Sequence, residues 1–197
     1  YIDFSNNLPE QSEDYVMNNL KVIKNIQFFF NEFSYDDIFT KINKKVLEEI
    51  KLDYSKPYLI FDLDETLIHS ELILEKPKSF YDKTFESKLR DSEGNILEIG
   101  IMIRPGAHKF LDFVSKNFNL GLMNAADLPY ADQVLEICEM GKYFDFVLDR
   151  SYCIPLKGFH IKDLSIFNSK NEKLQALIID NNIFSFSNYL PQGVLTS

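Results

Sequence analysis

Cysteine is scarce in this chain of 197 residues, with Cys138 and Cys153 the only two. Two cysteines make no disulfide framework, and without paired histidines near them they make no recognisable zinc site, so the count fits reduced thiols in an intracellular protein. Positive charge is also short: 21 Lys and Arg stand against 30 Asp and Glu, a formal net charge of -9 with a pI near 4.9. Binding a nucleic-acid backbone needs clustered Lys and Arg, so no direct nucleic-acid ligand is expected. No apolar run approaches the length that crosses a bilayer, and the N-terminus lacks the charged-then-apolar order of a signal sequence. No membrane span is expected in this chain. Internal repeats, low-complexity tracts and long flexible linkers are missing too. What is present is 45% hydrophobic residues, enough to bury one sizeable core and carry an appendage. The chain begins at Tyr1 rather than Met, which reads as a fragment of a longer protein. A nuclear or cytoplasmic location is the expectation.

The appendage comes first. Val16, Leu20, Ile23, Ile26 and Phe30 recur at steps of three and four, one apolar face of a helix. Ser34 can cap a second helix, with Asp36 and Asp37 in its first turn and Ile38, Ile42, Val46 and Ile50 along one side. Such faces ordinarily cover a core, although a protein partner for them is also conceivable. Ser55-Lys56-Pro57 ends this region, because proline disfavours helix at the residue before it. The division is drawn as 1–55, an N-terminal helical extension, and 56–197, the main domain.

The most informative segment opens the main domain. Tyr58-Leu59-Ile60-Phe61 reads as a fully buried strand, and Asp62-Leu63-Asp64-Glu65-Thr66 follows directly. In extended chain, residues two apart face the same way, so both aspartates can converge on one bound phosphate. One carboxylate can attack phosphorus while the other acts as general acid, with a divalent cation bridging the charges. The competing reading is a solvated loop, since Asp-x-Asp also arises by chance. Position favours chemistry, because open parallel sheets bind ligands beyond the carboxyl ends of their strands.

The rest of the chain supplies such a sheet. A polar stretch runs from Ser70 to Lys83, then Phe85–Arg90 and Ile96–Ile103 flank the turn-forming Asp91-Ser92-Glu93-Gly94-Asn95 as a hairpin. Arg104-Pro105-Gly106 opens a helix carrying Phe110, Leu111 and Val114. Leu120–Met123 is a short strand ending at Asn124, Pro129 starts another helix, and Phe144–Leu148 is a third strand. Arg150 to His160 reads as irregular, and the strand Ala176–Ile179 ends at Asp180-Asn181. Strands alternating with helices, each strand closed by a polar residue, describe an α/β fold with a three-layer parallel sheet.

Asp62-Leu63-Asp64-Glu65-Thr66-Leu67-Ile68-His69-Ser70, Arg104-Pro105-Gly106, Tyr130-Ala131-Asp132, Lys162-Asp163-Leu164-Ser165 and Ile179-Asp180-Asn181 occur in the order seen in one family. From about Pro57 to Leu190 the chain resembles the FCP/SCP-type, NLI-interacting-factor-like protein phosphatases of the haloacid dehalogenase superfamily. The resemblance implies that Asp62 forms an aspartyl-phosphate and that Asp64 protonates the leaving serine or threonine oxygen, then activates water. It implies Mg2+ held by Asp62, the Asp64 carbonyl and Asn181, with Asp180 nearby, and Lys162 neutralising the phosphoryl oxygens. Spacing alone leaves Lys162 an ordinary surface lysine and Asp180 a possible helix cap. Thr66, Arg104, Asn124 and Tyr130 are the expected substrate contacts, with a core role equally open for Tyr130. The short insert between Glu71 and Ile103 suits an open site for phosphoserine or phosphothreonine on a protein.

Two features depart from the family. Asn124 and Ala126 stand where Thr or Ser, and Ser, are usual, and an Asn turned the wrong way would point its oxygen at phosphate. Beyond Gly193 the family's acidic segment and closing helix are not found, so the domain reads as truncated at its C-terminus. The alternative function is a catalytically weak or inactive member serving as a protein-binding module.

Overall fold

The computed structural model describes residues 13–32, 42, 44–46, 50–53, 55–72, 84–90, 94, 96–156, 158–167 and 176–196. Two compact units make up the chain, Tyr1–Tyr35 and Asp36–Ser197. The first contains α1, Glu13–Glu32. Ile23 and Ile26 are buried there, whereas Leu20, expected on the same face, is exposed together with Met17 and Phe28. Leu20, Met17 and Phe28 lie side by side on a helical wheel, so the apolar arc of α1 is wider than its buried part. Ser34 to Ile38 lie outside the described residues. Val46, fully buried, and the partly buried Ile42, Ile50 and Leu52 join a core of the second unit. The boundary drawn between residues 55 and 56 therefore falls inside that unit.

The second unit is built on a five-stranded, all-parallel sheet. Its strands are β1 (Tyr58–Phe61), β5 (Asn119–Met123), β6 (Phe146–Leu148), β9 (Ala176–Asp180) and β10 (Gly193–Leu195), in the order β10-β9-β1-β5-β6. The apolar run at β1 feeds both faces, as alternation along a strand requires. Leu59 and Phe61 join Leu111, Val114, Val134 and Leu135, from helices α2 (Ala107–Val114) and α3 (Leu128–Ile137). Tyr58 and Ile60 face the other way, among Phe146, Phe167, Phe186 and Val46. On the first face the expected alternation of strands with helices holds. Among the described residues, 3-10 segments at Ser165–Phe167 and Ile183–Gln192 contribute to the other face.

Two pieces of β-structure were not anticipated. The hairpin β3 (Thr84–Arg90) and β4 (Ile96–Ile103) is present, and β2 (Ile68–Leu72) adds a third antiparallel strand, from Ile68↔Ile103 to Leu72↔Ile99. His69-Ser70-Glu71 interrupts the apolar pattern of β2, which hid it. Where Arg150 to His160 is expected to be irregular, a second hairpin forms from β7 (Ile154–Leu156) and β8 (Phe159–Ile161), with the exposed Pro155 between buried Ile154 and Leu156. Gly106 has φ of 80, a left-handed conformation open to glycine, and it turns the chain from β4 into α2.

Candidate active site

Strand ends assemble the site. β1 lies between β9 and β5, which the chain reaches in opposite directions, and this reversal opens a crevice at the carboxyl edge. Asp62 and Asn124 each stand one residue beyond a strand, and Asp180 closes β9. Ladder-like bonds carry the order past the strands: the Asp62 N–H donates to the Ile179 carbonyl at 2.9 Å, and the Asn124 N–H to the Leu148 carbonyl at 2.8 Å. Lys162, one residue after β8, is anchored by its N–H on the Ser185 carbonyl at 2.7 Å.

Lys162 is not a surface lysine. It is 1% exposed, and its Nζ donates to Asp62 Oδ1 at 2.6 Å and Asp180 Oδ2 at 2.7 Å. Burial alone would push the ammonium down, but Asp62 and Asp180 more than reverse this and hold it above its ordinary value. For Asp62, burial raises the carboxyl to about 6, with Asp180 and Asp64 adding to the rise and Lys162 opposing it. One buried cation thus faces two buried carboxylates. The uncompensated negative charge suits a divalent cation, and Asp62, Asp180, the Asn181 amide and the Asp64 carbonyl are the oxygen donors such an ion prefers. Among the described residues no three His, Cys, Asp or Glu side chains form a metal-holding group, so amide and carbonyl oxygens have to complete the set. Asn181 is exposed and lines a cleft of about 410 Å³ with Glu65, His69 and Arg104.

Three expected substrate contacts also brace the loop that carries Asp64. Thr66 is buried, with its Oγ1 3.4 Å from Asp62 Oδ2 and accepting the Asn181 N–H at 3.1 Å, which stitches the first loop to the last. Arg104 spends its guanidinium on backbone: Nε donates to the Thr66 carbonyl at 2.6 Å and Nη2 to the Glu65 carbonyl at 2.8 Å. The brace is needed because Glu65 has φ of 59, a left-handed conformation unfavourable for a residue with a side chain. Arg104→Lys is therefore expected to lower the unfolding free energy by about 1–3 kcal/mol, since one ammonium does not reproduce the forked contact. Chemical denaturation measures it, and an unchanged midpoint would show that the loop holds itself. Tyr130 packs on the core and its hydroxyl donates to Asp64 Oδ1 at 2.5 Å.

Asn124 settles its own orientation. It is buried, its Oδ1 accepts the Ala126 N–H at 3.1 Å, and its Nδ2 has no partner among the described residues. The oxygen is thereby tied to the loop and the amide N–H groups are left as donors, the polarity a phosphoryl oxygen needs. Asn124→Leu, which removes the donor at similar volume, is expected to lower kcat by about a hundredfold if phosphate is held there. An unaltered kcat would place Asn124 outside the phosphate site.

Sequence reasoning assigned no role to Asp163, Tyr189, Arg150 or Ser70. The buried Asp163 carboxylate accepts the Ser165 N–H at 2.9 Å, the Ser165 hydroxyl at 2.7 Å and the Tyr189 hydroxyl, tying the Lys162 loop to the segment after Asn181. The Asp-x-Ser spacing signals the local turn, whereas nothing local reveals Tyr189. Arg150 Nε donates to the Ala125 carbonyl at 2.6 Å and so braces the loop after β5.

This parallel sheet, with an acidic loop and buried lysine at its switch point, has the architecture of the haloacid dehalogenase type. Residues 57–197 match the model of the NLI interacting factor-like phosphatases, and the chain belongs to that family. It is 32% identical over 144 residues to the human CTD small phosphatase-like protein, covering 73% of this chain and 49% of that protein. With CTD small phosphatase-like protein 1 of Caenorhabditis elegans the identity is 32% over 160 residues, 80% of this chain and 31% of that one. The chain thus spans about half or less of these relatives' length. The fold is shared with the fission yeast RNA polymerase II CTD phosphatase Fcp1, at a TM-score of 0.57 and 21% identity, over 80% of this chain and 44% of that one.

Proposed function

We propose that the chain is the catalytic part of a Mg2+-dependent phosphatase for phosphoserine and phosphothreonine in proteins, working through an aspartyl-phosphate on Asp62. The observation that carries the reading is the buried Lys162 ammonium, held by two carboxylates at 2.6 and 2.7 Å beside the Asp62-x-Asp64 loop. A fold that needed only stability has little reason to bury such an unbalanced cluster.

In the first step an Asp62 oxygen bonds to phosphorus, the bond to the serine or threonine oxygen breaks, and Asp64 gives that oxygen its proton. Asp64 then takes a proton from water, which attacks the phosphorus and frees Asp62. Lys162 shifts its charge from Asp62 toward the phosphoryl oxygens, and the Asn124 amide donates to one of them. Asp62, Asp180, Asn181 and the Asp64 carbonyl would hold Mg2+, which would supply positive charge to offset the repulsion between phosphate and carboxylate.

The test is phosphate release from a phosphoserine peptide and from an aryl phosphate, with Mg2+ and after chelation. Release that requires the metal is expected. Its absence with both substrates leaves the alternative, a protein-binding module. A nuclear or cytoplasmic location is proposed with this reading, supported by two free, buried cysteines. Exposed Met17, Leu20 and Phe28 support a protein partner for α1.

A further inference from the structure

Asp64 has two carboxylate oxygens, and one of them is fully committed. Oδ1 accepts the Tyr130 hydroxyl at 2.5 Å and the Ser70 hydroxyl at 3.0 Å, and these two hydroxyls lie 2.9 Å apart. Three separate elements meet at this one atom. Asp64 comes from the loop after β1, Ser70 from β2 opposite Ile101, and Tyr130 from the first turn of α3. That turn is itself fixed, because the Asp127 carboxylate accepts the Tyr130 N–H at 3.1 Å. The Tyr130 ring packs on the core that holds Leu59 and Phe61, so its hydroxyl has little room to swing.

We propose that Tyr130 and Ser70 are positioning residues that clamp Asp64 Oδ1, so that Oδ2 carries the proton and faces the leaving group. An oxygen already accepting two O–H groups is the poorer home for a further proton, which leaves Oδ2 as the acidic one. The clamp holds that oxygen at a fixed reach, and general acid catalysis falls off steeply with misplacement. The inference rests on the reading of Asp64 as general acid and adds a specificity to it. The clamp matters for leaving groups that cannot depart as anions, such as the alkoxide of phosphoserine, and matters little for those that can.

The test compares kcat/KM for phenyl phosphate and dinitrophenyl phosphate in wild type, Tyr130→Phe, Ser70→Ala and Asp64→Asn, each with Mg2+. This ratio covers the steps up to phosphorylation of Asp62 and leaves out hydrolysis of the intermediate. Both substrates are too small to use a peptide-binding surface, so loss of a substrate contact would not select between them. Tyr130→Phe is expected to lower the value about tenfold for phenyl phosphate and less than about twofold for dinitrophenyl phosphate, with Ser70→Ala in the same direction. Asp64→Asn should show the same selectivity more strongly. If Asp64→Asn is selective and Tyr130→Phe affects both substrates equally, or neither, the clamp is overturned and the general acid stands. If Asp64→Asn itself shows no selectivity, the general-acid reading fails and the clamp with it.

Discussion

Asp62→Asn is expected to lower phosphate release by more than about ten-thousandfold while leaving the fold at least as stable at neutral pH. The first half follows from chemistry: an amide nitrogen has its lone pair delocalised into the carbonyl, so no nucleophile remains at the end of β1. The second half follows from electrostatics. In the metal-free protein burial raises the Asp62 carboxyl to about 6, against an ordinary value of 3.8. A carboxyl raised in this way favours the fold fully below its unfolded value, and that contribution is lost as pH rises through the folded one. Ionised Asp62 therefore weakens the fold at pH 7 by on the order of 2 kcal/mol, a strain that Asn removes. Thermal unfolding in chelator should find variant and wild type alike at acid pH, below the unfolded value, and the variant higher at neutral pH. Retained activity would remove Asp62 from the reaction, and a lower melting temperature at neutral pH would make its charge structural.

The same cluster shows what a sequence can and cannot disclose. β1 and the aspartates after it were legible because a buried parallel strand is a continuous apolar run and its ligands lie just beyond it. β2 was not, because its pairing depends on β4, more than two dozen positions away along the chain, and its own three central residues are polar. The family motifs pointed to Lys162 and Asp180, but no spacing rule indicates that Lys162 would be buried between Asp62 and Asp180. Thr66 and Arg104 stand in motifs that suggest substrate contacts, and no motif indicates that they also hold the loop through hydrogen bonds. A motif residue can persist in a pattern because it supports a catalytic backbone as well as because it touches the ligand. Tyr130 makes the point most sharply, since neither a substrate contact nor a core role indicates the bond from its hydroxyl to Asp64 that the fold makes.

Lys162→Met should destabilise the protein by about 3–5 kcal/mol near pH 7, a large part of the stability of a domain this size. Methionine fits the space, so the penalty is electrostatic: Asp62 and Asp180 are left buried against one another with no cation between them. The Asp62 carboxyl, already raised by burial, then loses the opposing charge of Lys162 and rises further, so the variant should recover stability as the pH is lowered through that raised range. The wild type should show the same recovery to a smaller extent, because its Asp62 carboxyl is also raised while Lys162 stays charged throughout that range. Adding Asp180→Asn to Lys162→Met removes one of the stranded charges and should restore much of the fold. It should not restore activity, because the phosphoryl oxygens would still lack the ammonium, a loss of about a hundredfold or more. The two outcomes separate the tasks of one side chain, with denaturation reading the charge balance and phosphate release reading the chemistry. If Lys162→Met unfolds at the wild-type midpoint at every pH, the carboxylates are not dependent on it, and the buried cluster loses its standing as the centre of the site.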